Sequence, residues 1–185
     1  TNQDLTAESA EAYHAEQIQT FKAARVDIIT ALTLNTTDEA IGIARASAEV
    51  GIPSVIAFTI EKDRKLRSGE TLKQAIETVD AATSNAPAYY MINCAHPSHF
   101  CERLDRRASW MDRVRGVRAN ASRCSHAELD AAEKLDDGNP DELGRDFAAL
   151  RRAFPNLSIL GGCCGTDQRH IAAISAACAS VSEPA

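Results

Sequence analysis

No apolar run in this chain of 185 residues approaches the roughly 18 residues that a membrane-spanning helix needs, so no membrane span is expected. Nor is there an excess of basic charge. Twenty Lys and Arg stand against 26 Asp and Glu, for a net charge of −6. A nucleic-acid binder would carry a clustered basic face, so no nucleic-acid partner is expected. The opening residues, Thr1-Asn2-Gln3-Asp4-Leu5, have neither the basic stretch nor the apolar core of a signal peptide. With nothing to indicate secretion, a cytoplasmic location is expected. The chain also lacks an initiator Met, which suggests processing or a start partway through a longer protein. Linkers, low-complexity segments and internal repeats are absent too. A domain of this length buries enough apolar surface to fold without a disulfide framework.

What the sequence does have is an alternation of helix and strand patterns. Residues 6–25 carry Ala10, Tyr13, Ile18, Phe21 and Ala24 at helical spacing, with Thr6 placed to cap. Val26 to Thr33 reads as a strand, residues 37–50 as a helix stopped by Gly51, and Ile52 to Ile60 as a second strand. A charged loop (residues 61–69) leads to a helix marked by Leu72, Ala75, Ile76, Val79 and Ala82. Tyr89 to Cys94 is a third strand and Val114 to Asn120 a fourth, with an irregular excursion between them. Ser125-His126-Ala127-Glu128 has the form of a capping box, opening a helix expected to end by Asp136-Asp137-Gly138. Asn139-Pro140 starts another helix, with an apolar stripe of Leu143, Phe147, Leu150 and Phe154. Leu157 to Leu160 is the fifth strand, and Asp167 caps a last helix bearing Ile171, Ile174 and Cys178. The tail after Ser180 is expected to fray.

Strands separated by helices indicate βα units and a parallel sheet. Five units are too few for a closed (β/α)8 barrel, which takes about 250 residues. An open five-stranded sheet and a partial barrel both fit, and both place ligands at the C-terminal ends of the strands.

Cys94 and the adjacent pair Cys163-Cys164 fall at such ends. Three thiolates that converge suit Zn²⁺ in tetrahedral geometry at about 2.3 Å, and three protein ligands leave a fourth position open. Neighbouring side chains on a strand point to opposite faces, so the Cys163-Cys164 pair needs a sharp bend, which Gly161, Gly162 and Gly165 permit. Cysteine is also often buried as a small hydrophobe, the commoner fate of an isolated Cys94. The pair inside Gly-Gly-Cys-Cys-Gly-Thr favours ligation instead. A phosphate cradle at this turn ranks lower, because thiols add nothing to it. A redox role ranks lower as well, because the usual two-residue spacer between the cysteines is missing. His96 and His99 lie near enough to Cys94 to be alternative ligands, although loop histidines more often only form hydrogen bonds. His170 falls in the first turn of a helix, and His14 and His126 are expected to be exposed. Cys101, Cys124 and Cys178 are expected to be inert.

Ile92-Asn93-Cys94, followed downstream by Gly161-Gly162-Cys163-Cys164-Gly165-Thr166 and then His170-Ile171, resembles the zinc-dependent homocysteine S-methyltransferase family. Tyr13, Gln17, Asp38-Glu39-Ala40, Ser68-Gly69 and Asn120 add weaker matches. The resemblance implies a (β/α)8 TIM barrel, of which about five βα units are present, residues 1–185 forming one domain that lacks the first three units. It implies Cys94, Cys163 and Cys164 as ligands of Zn²⁺, and Thr33 and Asn120 as substrate-binding residues. The partners implied are a homocysteine-like thiol and a methyl donor such as S-methylmethionine, with methionine as product. Open strand edges imply an oligomer or a missing N-terminal segment that covers them. The sequence departs from the family at Leu32, where a glutamate usually holds the amino group of homocysteine. Leucine cannot accept that hydrogen bond. Either the thiol acceptor differs or another residue makes the contact. The alternative to an enzyme is a non-catalytic zinc-binding fragment that acts by association with another chain.

Overall fold

Helix α1 (Ala7–Ala23) begins where expected, with the Thr6 hydroxyl accepting from the Ser9 amide at 3.2 Å. In the computed structural model, which describes residues 5–101, 104–179 and 181, the buried face of α1 is Ala7, Ala10 and Ile18. Tyr13 is 76% exposed, so the predicted stripe is wrong at its largest residue. The reason is the neighbouring helix α2 (Thr37–Val50). A β-carbon on its Gly42 would stand 2.5 Å from the Glu11 amide nitrogen and 2.6 Å from the Ala10 β-carbon. The two backbones meet too closely there for anything larger than alanine on α1. Gly42→Ala is therefore expected to destabilise the chain by about 1–3 kcal/mol despite alanine's better helix propensity. A denaturant melt with an unchanged slope would measure it.

Two compact units are present. The first comprises Thr1–Thr59 and Lys65–Met91. It holds α1, strand β1 (Ile29–Leu34), α2, strand β2 (Ser54–Thr59) and helix α3 (Leu72–Thr83). Strand β3 (Tyr89–Asn93) passes from the first unit into the second. β1 is shorter than the apolar run that predicts it, starting at Ile29 and leaving Val26 and Ile28 exposed. β1 and β2 pair in parallel, but Ala31 faces Ile56 while Leu34 faces Phe58. One extra residue on β1 is a β-bulge, and it falls on Leu32-Thr33. Every residue of β2 is buried. Gly51 ends α2 in the left-handed region, and a Thr71–Gln74 capping box opens α3. Phe58 stacks on Tyr90 with ring centroids 6.2 Å apart, and the Tyr90 hydroxyl donates to Asp80 at 2.7 Å.

The second unit comprises Ile60–Arg64 and Ile92–Ala185. Two 3₁₀ turns, Pro97–His99 and Ser109–Arg113, make up part of the irregular excursion. Strand β4 (Val114–Ala119) and strand β5 (Ile159–Gly162) pair in parallel, with Ala119 facing Gly162. β5 thus starts two residues later than predicted and runs into the glycines, because backbone pairing with β4 continues where side-chain propensity stops. Helix α4 (His126–Asp130) has its capping box but ends well before Asp136. The Asp136 carboxylate accepts from the Ser122 hydroxyl at 2.5 Å and the Gly138 amide at 3.0 Å, which keeps the following segment a loop. Helix α5 (Pro140–Ala153) is capped by Asn139 and buries Leu143, Phe147 and Leu150, with Phe154 also buried just beyond it. Helix α6 (Gln168–Ala179) buries His170, Ile174 and Cys178, while Ile171 of the expected stripe is exposed. The tail after Ser180 lies, apart from Val181, outside the described residues.

The strands follow one another in the order β1-β2-β3-β4-β5, an α/β arrangement of five parallel strands that fits part of a TIM barrel; among the described residues, 3₁₀ turns rather than an α-helix lie between β3 and β4.

Candidate metal centre

The second unit brings the C-terminal ends of β3, β4 and β5 side by side, and each carries a residue singled out by sequence. Cys94 follows β3, Asn120 follows β4, and Cys163-Cys164 follow β5. The Sγ atoms of Cys94, Cys163 and Cys164 lie within 4.8 Å of one another. Among the described residues, this is the group of three or more potential ligands that converges. All three are free thiols, with Cys94 buried and Cys164 exposed. A tetrahedral zinc at about 2.3 Å would space its sulfur ligands about 3.8 Å apart. The Cys94–Cys163 separation of 2.7 Å and the overall spread of 4.8 Å bracket that value. In softness, number and placement, the donor set fits zinc.

Backbone geometry explains how adjacent cysteines share one site. The Cys163 amide continues the β4–β5 ladder, donating to Ala119 at 2.6 Å. The chain then turns, with the Thr166 hydroxyl and amide both donating to the Cys163 carbonyl at 2.7 and 3.2 Å. Gly165 has φ +76, and a β-carbon there would meet the Asp136 carbonyl oxygen at 2.7 Å. A β-carbon on Gly162 would collide with Thr166, whereas Gly161 faces open space. The bend therefore needs Gly162 and Gly165, and Gly161 is not required for it. Cys94 adopts φ +52, a left-handed conformation uncommon outside glycine.

Asn120 ties the two ligand turns together. Its amide nitrogen donates to the Cys94 carbonyl at 3.0 Å, and its amide oxygen accepts from the Cys164 backbone at 3.2 Å. Thr33 lies in the other unit, in the β1 bulge, with φ +65. Neither nitrogen of His96 or His99 joins the cluster. His96 is buried, caps a 3₁₀ turn through Ser98, and is pushed down to about 4 by burial, then by Arg123 and His99. It is neutral at pH 7, so its 3.8 Å approach to Asp146 is not a salt bridge. His99 meets the Arg123 carbonyl at 2.9 Å. His170 is fully buried and braces the Asp137 carbonyl at 2.8 Å. His14 and His126 are half-buried rather than exposed, for each pairs with a glutamate.

Two contacts at this centre escaped the sequence analysis, one of them made by Asn93 of the Ile92-Asn93-Cys94 motif. Arg118 reads in sequence as a weak point of a strand, yet its guanidinium lies 3.5 Å from the Cys163 sulfur, and Asn93 approaches the same atom at 3.5 Å. Of the two arginines in this strand, Arg115 is exposed and Arg118 only half-buried, a difference that the sequence does not show. The Cys163 thiol is pulled down to about 5, chiefly by the Cys94 thiol donating to it, with the Arg118 charge helping against burial. Cys94 is correspondingly pushed up, first by that hydrogen bond and then by burial. Cys164 is pushed up by burial and by the charge on Cys163. Metal-free protein should thus hold one thiolate at neutral pH. Thiolate absorbance, read against a Cys163→Ser control, should show one group ionising near pH 5; a first ionisation only above pH 8 would contradict this arrangement.

Residues 1–178 match the sequence profile described as homocysteine S-methyltransferase. The chain belongs to the homocysteine S-methyltransferase family. Among solved structures, it is similar to the apo form of the homocysteine methyltransferase MmuM from Escherichia coli, with 17% identity and a TM-score of 0.67. That match covers 96% of this chain and 59% of the other, so the chain spans about three fifths of that structure. At this identity the likeness speaks for the fold. Comparison with curated proteins gives no match. No helix among the described residues is long and apolar enough to cross a membrane.

Proposed function

We propose that the chain is the metal-binding part of a zinc-dependent S-methyltransferase that methylates a homocysteine-like thiol, with Cys94, Cys163 and Cys164 as the zinc ligands. The observation that carries this reading is the convergence of three free thiols, from two strand ends, within 4.8 Å. Family membership supplies the reaction class. Zinc held there would supply a Lewis acid that keeps a coordinated thiol deprotonated near neutral pH.

The chain's own residues have definite tasks. Cys164, the exposed member, marks the side from which a substrate enters. Arg118 places positive charge beside Cys163 and offsets the repulsion among neighbouring thiolates. Asn120 shapes the pocket by fixing both ligand turns, and it is a proposed substrate-binding residue through the remaining hydrogen-bonding capacity of its amide. Thr33 is a proposed substrate-binding residue. The support is its strained, bulged conformation, a kind of backbone often found at functional sites. In the transfer itself, a sulfonium donor such as S-methylmethionine loses its methyl group. The new C–S bond forms on the acceptor sulfur, the electron pair of the broken bond stays on the donor sulfur, and the acceptor's thiol proton goes to solvent. Methionine is the product if the acceptor is homocysteine. No residue near the thiols is needed as a general base.

Leu32 is 39% exposed and cannot bind an ammonium group, so a weak hold on homocysteine is expected. The test is methyl transfer from S-methylmethionine to homocysteine and to thiols lacking the amino group, in the zinc-loaded protein. Turnover that is insensitive to the amino group supports an altered acceptor. No turnover with any thiol by zinc-loaded protein contradicts the catalytic reading for this chain.

A further inference from the structure

Cys94 must present its sulfur from a left-handed backbone that L residues rarely adopt. Such a conformation persists only where the surroundings hold it. Its amide donates to the Arg118 carbonyl at 3.0 Å, and its carbonyl is gripped from two sides. One grip is Asn120. The other is the His126 ring, whose Nε2 lies 2.7 Å from the Cys94 oxygen. A carbonyl only accepts, so Nε2 carries the hydrogen.

The ring is itself held. Its Nδ1 lies 2.9 Å from the Glu61 carboxylate, which also only accepts, so in this arrangement Nδ1 carries a hydrogen too and the rotation of the imidazole about its stem is fixed. His126 is the first residue of α4, a helix of five residues too short to hold its own position. That helix is braced at both levels by neighbouring residues of one segment. Glu61 takes His126, and Lys62 takes Glu128 at 2.7 Å while the Glu128 carboxylate closes the capping box on Ser125. The chain from Glu61 through His126 ends on the backbone of a proposed metal ligand.

We propose that His126 and Glu61 are a positioning pair that locks the left-handed conformation of Cys94 and so sets the affinity of the three-thiolate centre. This rests on the zinc reading above. Carboxylate–histidine pairs that orient metal ligands typically change affinity 10- to 100-fold when removed. Here the pair acts one step further out, through a backbone carbonyl, and uses the same logic of fixing a donor in place.

The test is zinc affinity, by competition with a chromophoric chelator, beside the thermal midpoint of each metal-free protein. The set is the parent chain, His126→Ala, His126→Gln and Glu61→Ala. His126→Ala is expected to weaken zinc binding about 10- to 100-fold, with Glu61→Ala falling between it and the parent. His126→Gln keeps an N–H donor near the Cys94 carbonyl and should recover most of the loss. His126→Ala with parental zinc affinity overturns the proposal, even if its midpoint falls, because that is the signature of a purely structural role. If His126→Ala does not fold, Glu61→Ala decides, and parental affinity there overturns the proposal equally. A parent chain that binds no zinc overturns the three-thiolate reading and this role together, whereas a tight-binding parent with an insensitive His126→Ala overturns this role alone.

Discussion

Replacing Cys163 by serine is expected to lower zinc affinity at least about a hundredfold. The binding free energy of a thiolate-rich zinc site is about 10–16 kcal/mol at neutral pH, so each of four ligands carries roughly 3 kcal/mol, or about two decades in affinity. Cys163 should show the full effect. Arg118, Asn93 and Cys94 all approach its sulfur. A serine hydroxyl offers a harder, protonated donor in the same volume, so the fold should survive while the metal is lost. Cys164→Ser should behave alike. Cys178→Ser is the control: that thiol is buried on α6 outside the cluster, and its replacement should cost stability without changing zinc affinity. Equal zinc affinity in the Cys163→Ser and parent proteins would remove the assignment.

The second large effect is expected at Asn120. Asn120→Ala removes the cross-tie between the Cys94 carbonyl and the Cys164 amide at a buried position. The Cys94 carbonyl keeps His126, so the group left without its partner is the Cys164 amide; one such group costs about 1–3 kcal/mol, and a loss of that size is expected, read from a denaturant midpoint. Zinc affinity should fall too, because the turns carrying Cys94 and Cys164 lose their common support. Asn120→Asp separates shape from hydrogen bonding. It keeps the volume and the acceptor for Cys164 but sets a carboxylate oxygen against the Cys94 carbonyl, so it too should lose stability. If Asn120→Asp is as stable as the parent, the cross-tie contributes less than its geometry indicates.

Much of this was readable from residues alone, for identifiable reasons. Capping chemistry is local, so Thr6, Ser125 and Asn139 mark helix starts wherever the helices pack. Cys163 and Cys164 could be named because the Gly-Gly-Cys-Cys-Gly-Thr turn has few other uses, and Cys94 because the upstream Asn93-Cys94 accompanies that turn in the family. Their geometry could not, since it depends on Gly162 and Gly165 meeting Thr166 and Asp136. What escaped were side chains whose role is set by a distant partner. Tyr13 follows helical periodicity, yet the close approach of α2 at Gly42 turns the contact face toward the alanines. His126 looks like a surface residue in sequence, and only Glu61 and the Cys94 carbonyl, far away in the chain, give it work. The bulge at Leu32-Thr33 was invisible for the same reason, because register belongs to the pair of strands and not to either one.

The central claim is that three cysteines from two strand ends form one metal site. Zinc per chain, by elemental analysis of protein purified under reducing conditions without added metal, tests it most directly. The account predicts a ratio near one in the parent and near zero when Cys163 is serine. A parent ratio near zero, in protein that is folded and fully reduced, would contradict it.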